Sequence, residues 1–187
     1  MKISKGLSPF LQRCIAFIIL ILLLPLLILI IFLVLIFDKK PVFFVQIRIG
    51  KNEKPFEILK LRTMNEAQKI TFIGYFLRKY SLDELPQLIN IIKGDMLLIG
   101  PRPLLPEYLP LYSPEQKKRH QVKPGLSGWS QIKGRNALSW QEKLALDIWY
   151  IENQSFWLDI KIIVLTIKKI FFRPDGEIMA EKFDGKN

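Results

Sequence analysis

Residues 14–37 read CIAFIILILLLPLLILIIFLVLIF, an unbroken uncharged run of 24 residues with Pro25 near its middle. As one straight helix the run is about 36 Å long, enough to cross a bilayer. It is too long for the apolar core of a secretory signal, and no small-residue cleavage site follows. Two features count against a simple span. Pro25 divides the run into halves of 11 and 12 residues, each about 17 Å as helix and able to reach only mid-depth. Both flanks are basic, with Lys2, Lys5 and Arg13 before the run and Lys39, Lys40 and Arg48 after it. Positive charge favours the cytoplasmic side, so a span would place one cluster on the wrong face. A helix bent at Pro25 and returning to its own side satisfies both features. A spanning helix with an ordinary proline kink is the alternative.

The remainder of the 187 residues suffices for one domain. Lys and Arg number 28 against 17 Asp plus Glu, a net charge of +11, while the mean hydropathy is +0.20. An apolar and basic chain suits an anionic membrane surface and anionic ligands. No recognition helix, RNP-like strand or zinc-finger spacing supports nucleic acid as a partner. The single cysteine, Cys14, excludes an internal disulfide framework and fits a reducing compartment.

Directly after the apolar run, residues 42–49 are rich in β-branched and aromatic residues. Residues 50–54 read as a turn and residues 56–62 as a return strand, which together predict a β-hairpin. Ile58, Lys60 and Arg62 share one face, where the cations are either solvated or turned toward phosphates or headgroups. Residues 72–80 predict a short helix that brings Arg78 close to the next stretch, Ser81-Leu82-Asp83-Glu84-Leu85-Pro86-Gln87-Leu88. Ser81 and Glu84 have capping-box spacing. Leu85, Leu88, Ile89 and Ile92 then form an apolar stripe, and Gly94 is the stop. Two carboxylates, Asp83 and Glu84, therefore fall at a helix N-terminus. There the dipole keeps an aspartate ionised, as a nucleophile or metal ligand must be.

Further along, Arg102 lies between Pro101 and Pro103, so its guanidinium is either a rigidly held phosphate fork or part of a plain surface turn. Residues 113–116 mark the start of a helix that carries Lys117, Lys118, Arg119 and His120, where His120 is either a general base or, as expected of a lone histidine in a basic helix, a surface residue. Residues 124–136 contain three glycines, Trp129 as an aromatic surface, and Gln131, Lys133, Arg135 and Asn136 as polar contacts. They match neither a Walker loop nor a dinucleotide fingerprint. Ser139 and Ser155 cap the last two helices. The final helix is amphipathic and suits the lipid interface, the side of the anchor, or the core. The tail is polar apart from Ile178, Met179 and Phe183.

These motifs, in this order, strongly resemble the monotopic phosphoglycosyl transferases of the bacterial sugar transferase family, in their short form. The resemblance rests on residues 60–64 (KLRTM), 81–87 (SLDELPQ), 93–96 (KGDM), 100–103 (GPRP) and 124–128 (PGLSG), together with the proline-broken apolar run. It covers nearly the whole chain. It implies transfer of a phospho-sugar from a UDP-sugar to polyprenyl phosphate, usually undecaprenyl phosphate, with release of UMP. It further implies Mg²⁺ held by Asp83 and Glu84, a covalent intermediate on Asp83, and a part in activity or phosphate binding for Lys60, Arg78 and Arg102; the reading of the residues themselves adds Arg62, Gln131 and Arg135 as substrate or phosphate contacts. The location it implies is the cytoplasmic face of a bacterial inner membrane. The family's broken helix carries a Ser-Pro pair where this chain has Leu24-Pro25, which removes a hydroxyl that could satisfy freed carbonyls.

The expected fold class is therefore α+β and mainly helical. A re-entrant membrane helix kinked at Pro25, a small β-hairpin and interfacial amphipathic helices form one compact domain at the cytoplasmic face. Residues 1–40 anchor it, residues 41–174 form the catalytic domain including the amphipathic helix 155–173, and residues 175–187 are a polar tail. The rival reading is a non-catalytic adaptor whose basic face binds anionic lipid.

Overall fold

The computed structural model describes residues 6–38, 41–134, 137–172 and 183–185. Lys2, Lys5, Lys39, Lys40, Arg135, Asn136, Arg173, Pro174, Ile178 and Met179 lie outside them. Helix α1 spans Pro9–Phe37, is capped by the Ser8 side chain, and continues through Pro25. Among the described residues it is the one helix long and apolar enough to cross a membrane. Most of its surface is exposed, but Gln12, Ala16, Leu27, Ile30 and Val34 are buried. Those positions make a single stripe at helical spacing. Its beginning packs on Leu88, Ile91, Met96 and Ile162, and its end on Val42, Leu61 and Leu77. Hydrogen bonds fix both ends to the domain. The Leu7 N–H donates to Asp159 (2.8 Å), the Ile99 N–H donates to Gln12 Oε1 (3.2 Å), and the Thr71 hydroxyl donates to Asp38 (2.6 Å).

Strands β1 (Phe43–Ile49) and β2 (Pro55–Leu61) form the predicted hairpin, in register from Phe43 opposite Leu61 to Ile49 opposite Pro55. Helix α2 is Phe72–Lys79, with Thr71 as its cap. Helix α3 is Gln87–Lys93, ended by Gly94 at φ +94°, where glycine carries no left-handed penalty. The inward face of α3 is Leu88 and Ile91 with the polar Gln87 and Asn90; of the predicted stripe, Leu88 is buried and Leu85 and Ile92 pack partly buried against the same cluster, while Ile91 takes the place of Ile89. Asn90 explains the shift. Its side chain accepts the Leu59 N–H and donates to the Glu57 carbonyl (3.1 and 2.7 Å), tying α3 to β2.

Two short strands, β3 (Leu97–Ile99) and β4 (Gly125–Ser127), pair in parallel. A few residues of strand inside a glycine-rich stretch gave no periodic signal. Residues 113–116 do make the capping bonds expected of them, Ser113 N–H to Gln116 and Gln116 N–H to Ser113. The segment they introduce is nevertheless a 3₁₀ turn, Gln116–Gln121. Helices α4 (Trp129–Lys133), α5 (Trp140–Asn153) and α6 (Phe156–Phe172) complete the domain. The Ser139–Glu142 capping box of α5 is fully formed, and the Leu158 N–H donates to Ser155 at the start of α6.

Three expectations are corrected. Ser81 does not cap a helix: its φ is +56°, and it makes the turn out of α2. His120 is buried, not on the surface, and so is the neighbouring Arg119, to which Asp147 supplies a partner. Trp129 is in the core, stacked on Trp149 (5.3 Å between ring centres). On α6 the inward positions are Asp159 and Ile162, so the apolar row Phe156, Val164, Ile167 and Phe171 faces outward. Such a face suits the lipid interface.

Candidate active site

Asp83 and Glu84 lie in a 3₁₀ turn, Leu82–Glu84, wedged between α2 and α3. Ser81 supplies the sharp reversal before it. Pro86, at the N-cap of α3, occupies a position whose missing N–H interrupts no helical ladder. The turn thus replaces the helix start expected there, and Glu84 is engaged by distant cations instead of the backbone of Ser81. Lys60 from β2 reaches Glu84 Oε1 at 2.8 Å. Arg102 reaches the same oxygen through Nη2 at 2.7 Å and Oε2 through Nη1 at 3.5 Å. Arg102 is therefore held in a fork, and the plain-turn reading falls.

The two neighbouring acids have opposite protonation behaviour. Burial raises the pKa of both. For Glu84, Arg102 and Lys60 overcome that penalty by charge and hydrogen bonding and hold it well below the usual carboxylate range. Asp83 is pushed up to about 6 by burial and by the charge of Glu84, against the pull of Lys60, Arg102 and Arg78. Glu84 is a neutralised, positioned anion, while Asp83, with no ion pair among the described residues, faces the cavity.

That cavity holds about 720 Å³. It brings together Lys60, Arg62, Arg78, Arg102 and Gln131 from the sequence-based set, and Arg135 falls outside the described residues. Arg78 donates to Thr63 (2.8 Å), Arg62 to the Met64 carbonyl (2.6 Å), and Gln131 to the Leu126 carbonyl (3.3 Å). The sequence reading missed Arg48, Arg119, Ser130, Lys143 and Asp147, all of which line the same space. Arg119 Nη2 bonds Asp147 (2.7 Å) and the Arg102 carbonyl (2.7 Å), and Asp147 also accepts from Ser130 (2.8 Å). No local pattern announces Asp147; only the buried arginine opposite explains it.

The donor set also bears on metal binding. Among the described residues no three of His, Cys, Asp and Glu cluster. Mg²⁺ needs no such cluster: it binds through one or two carboxylates plus phosphate oxygens and water. Asp83, with Glu84 adjacent, fits that pattern.

A carboxylate facing a cavity lined by Lys60, Arg62, Arg78 and Arg102, in a chain with one helix long and apolar enough to cross a membrane among its described residues, fits a transferase. The chain belongs to the bacterial sugar transferase family, whose model matches residues 4–173. It is 48% identical over 160 residues to an uncharacterized sugar transferase, EpsL, of Bacillus subtilis, covering 78% of this chain and 79% of that protein. It is 39% identical over 151 residues to the UDP-glucose:undecaprenyl-phosphate glucose-1-phosphate transferase of Caulobacter vibrioides, covering 70% of this chain and 57% of the relative. It is 34% identical over 167 residues to the undecaprenyl-phosphate galactose phosphotransferase of Salmonella typhimurium, covering 74% and 35%. The chain thus spans most of the Bacillus protein but little more than half, or a third, of the other two.

Proposed function

We propose that the protein transfers a sugar-1-phosphate from a UDP-sugar to undecaprenyl phosphate at the cytoplasmic face of the bacterial inner membrane. The observation that carries this reading is Asp83, a carboxylate outside the ion pairs of its neighbour, in a cavity with Lys60, Arg78 and Arg102. An Asp83 oxygen attacks the phosphorus bearing the sugar, the pyrophosphate P–O bond breaks, and UMP leaves. An oxygen of undecaprenyl phosphate then attacks the same phosphorus, breaks the aspartyl–phosphate bond and restores Asp83. Lys60 and Arg102 fix Glu84 beside the nucleophile, and Arg78 and Arg62 offer charge to the transferring phosphate. Asp83 and Glu84 would hold Mg²⁺, which supplies neutralisation of the donor's pyrophosphate.

The grip of one domain on both ends of α1 supports a membrane-returning helix. A perpendicular span would carry the Gln12–Ile99 and Asp38–Thr71 contacts to opposite faces of the bilayer. The outward apolar row of α6 and the exposed Phe43, Phe44, Phe72 and Phe76 supply further surface for the headgroup layer. Cysteines introduced at Ile3 and at Lys40 in sealed vesicles should label from the same side; labelling from opposite sides refutes the topology.

The enzymatic test incubates the protein with Mg²⁺, undecaprenyl phosphate and a panel of UDP-glucose, UDP-galactose and UDP-N-acetylgalactosamine, with UMP release as readout. Without acceptor, intact mass should show a phospho-sugar adduct that Asp83→Asn lacks. UMP release by Asp83→Asn equal to that of the wild type refutes the covalent route.

A further inference from the structure

Strand β1 alternates along its length. Phe44, Gln46 and Arg48 line the cavity of Asp83, and Val45 and Ile47 between them do not, as a two-residue period requires. Phe44 pairs with Lys60 across the hairpin, and the Lys60 ammonium turns to Glu84. The hairpin is thus the floor of the cavity, with Phe44 and Lys60 side by side on it. One step beyond Lys60, about 7 Å along the strand direction, comes Arg62, whose N–H donates to the Val42 carbonyl (2.8 Å). Val42 is buried against Leu27, Ile30 and Val34 of α1. This end of the floor, with Pro41 in its lining, therefore adjoins the apolar helix. The opposite end is polar: Arg48 donates to the Pro103 carbonyl, and Arg119 donates to the neighbouring carbonyl of Arg102.

The Phe44 side chain is open. It is 45% exposed, and among the described residues neither another ring nor a cation packs on it. An open apolar ring with Lys60 beside it and Arg62 one step further is complementary to a group that is anionic at its tip and hydrocarbon directly behind. A polyprenyl phosphate has that build, because isoprene carbons follow its phosphate at once. We infer that Phe44 is a binding residue for the lipid acceptor, packing on the isoprene unit next to the phosphate. In-line displacement brings the acceptor oxygen in along the path on which UMP leaves. The two substrates therefore share the space at the phosphorus and part beyond it, the acceptor toward Phe44 and α1, the nucleotide toward Arg48 and the polar end. The inference rests on the proposed transfer to a lipid phosphate. It adds the residue that recognises the lipid and keeps that residue out of the donor half of the exchange.

The test measures the two halves of the exchange separately, in detergent micelles, with the UDP-sugar that the panel identifies. In a two-step exchange kcat/KM for each substrate reports its own half. Phe44→Ala should lower kcat/KM for undecaprenyl phosphate about tenfold. UMP release without acceptor, and kcat/KM for the UDP-sugar, should stay within about twofold of wild type. Phe44→Leu should recover most of the loss. Phe44→Gln keeps much of the volume but not the apolar face; it should share the alanine defect, and it carries the test if the alanine variant fails to fold. Val45→Ala is the control: its side chain is 51% exposed on the same strand but off the cavity face, and it should match wild type. An unchanged kcat/KM for undecaprenyl phosphate, equal losses in both halves, or an equal loss in Val45→Ala overturns the inference while the enzymatic reading stands. Wild-type protein that releases no UMP from any UDP-sugar, or transfers nothing to undecaprenyl phosphate, overturns the proposed function and the inference with it.

Discussion

Asp147→Ala should destabilise the protein by about 3–5 kcal/mol, because it strands the Arg119 charge inside. The pair is closed at 2.7 Å, with side chains only 2% and 4% exposed. Burial works against the charge on Arg119, and Asp147 and Tyr112 more than offset it, leaving the arginine pKa above its ordinary value. The Ser130 hydroxyl, which donates to Asp147, loses its acceptor and adds to the cost by about 1 kcal/mol. For a chain of this size each kcal/mol moves Tm by roughly 2–4 °C, so a fall on the order of 10 °C is expected in detergent or nanodisc melts. The double replacement Arg119→Met with Asp147→Leu removes both charges and should recover most of that loss. It should not recover activity, since the Arg102 carbonyl loses the guanidinium that holds it. A drop of about tenfold in kcat/KM is the expected residue of that loosening. An Asp147→Ala melt within about 2 °C of wild type, or a double variant no more stable than the single, refutes the reasoning.

Asp83→Asn should lower UMP release by about 10³-fold or more while leaving the melt close to wild type, measured by single-turnover kinetics. His120 is buried and pushed down to about 4 by burial and by the Arg119 charge. It therefore stays neutral in the folded protein while the unfolded chain protonates it near pH 6.5. Its contribution to stability is complete above about pH 6.5 and is lost as pH falls toward about 4. His120→Phe should flatten the dependence of denaturation midpoint on pH across that window; an unaltered slope rejects the buried-neutral assignment. Gly94→Ala should cost about 1–2 kcal/mol by chemical denaturation, since its φ is +94° and a methyl there would press on the Arg13 guanidinium.

What the sequence disclosed was whatever local pattern could encode. The hairpin followed from β-branched and aromatic enrichment and a polar turn. The α5 cap followed from Ser139 and Glu142 at fixed spacing, and the end of α3 from Gly94. The acidic dyad was found, but with the wrong local geometry. Serine and glutamate three apart looked like a cap, whereas Lys60 and Arg102, 24 and 18 residues away from Glu84, take its carboxylate. Long-range partners also decided what stayed hidden. Arg119 was one of several cations in a basic segment until Asp147 met it, β3 and β4 are too short for periodicity, and Phe183 was a stray apolar residue until the aromatic cluster closed around it.

The stripe along α1 has a mechanical consequence. A helix attached at one end acts as a mooring line, and its cargo swings and bobs. Here the contact runs from Gln12 to Val34, so the helix acts as a keel. The bearing of its outward apolar side chains is locked to that of the body, so in the proposed membrane placement thickening or thinning of the bilayer would lift or tilt the whole protein. The height of Asp83 above the acyl chains would then be a rigid-body coordinate, independent of linker slack, and the proposed lipid acceptor would meet it at one constant depth.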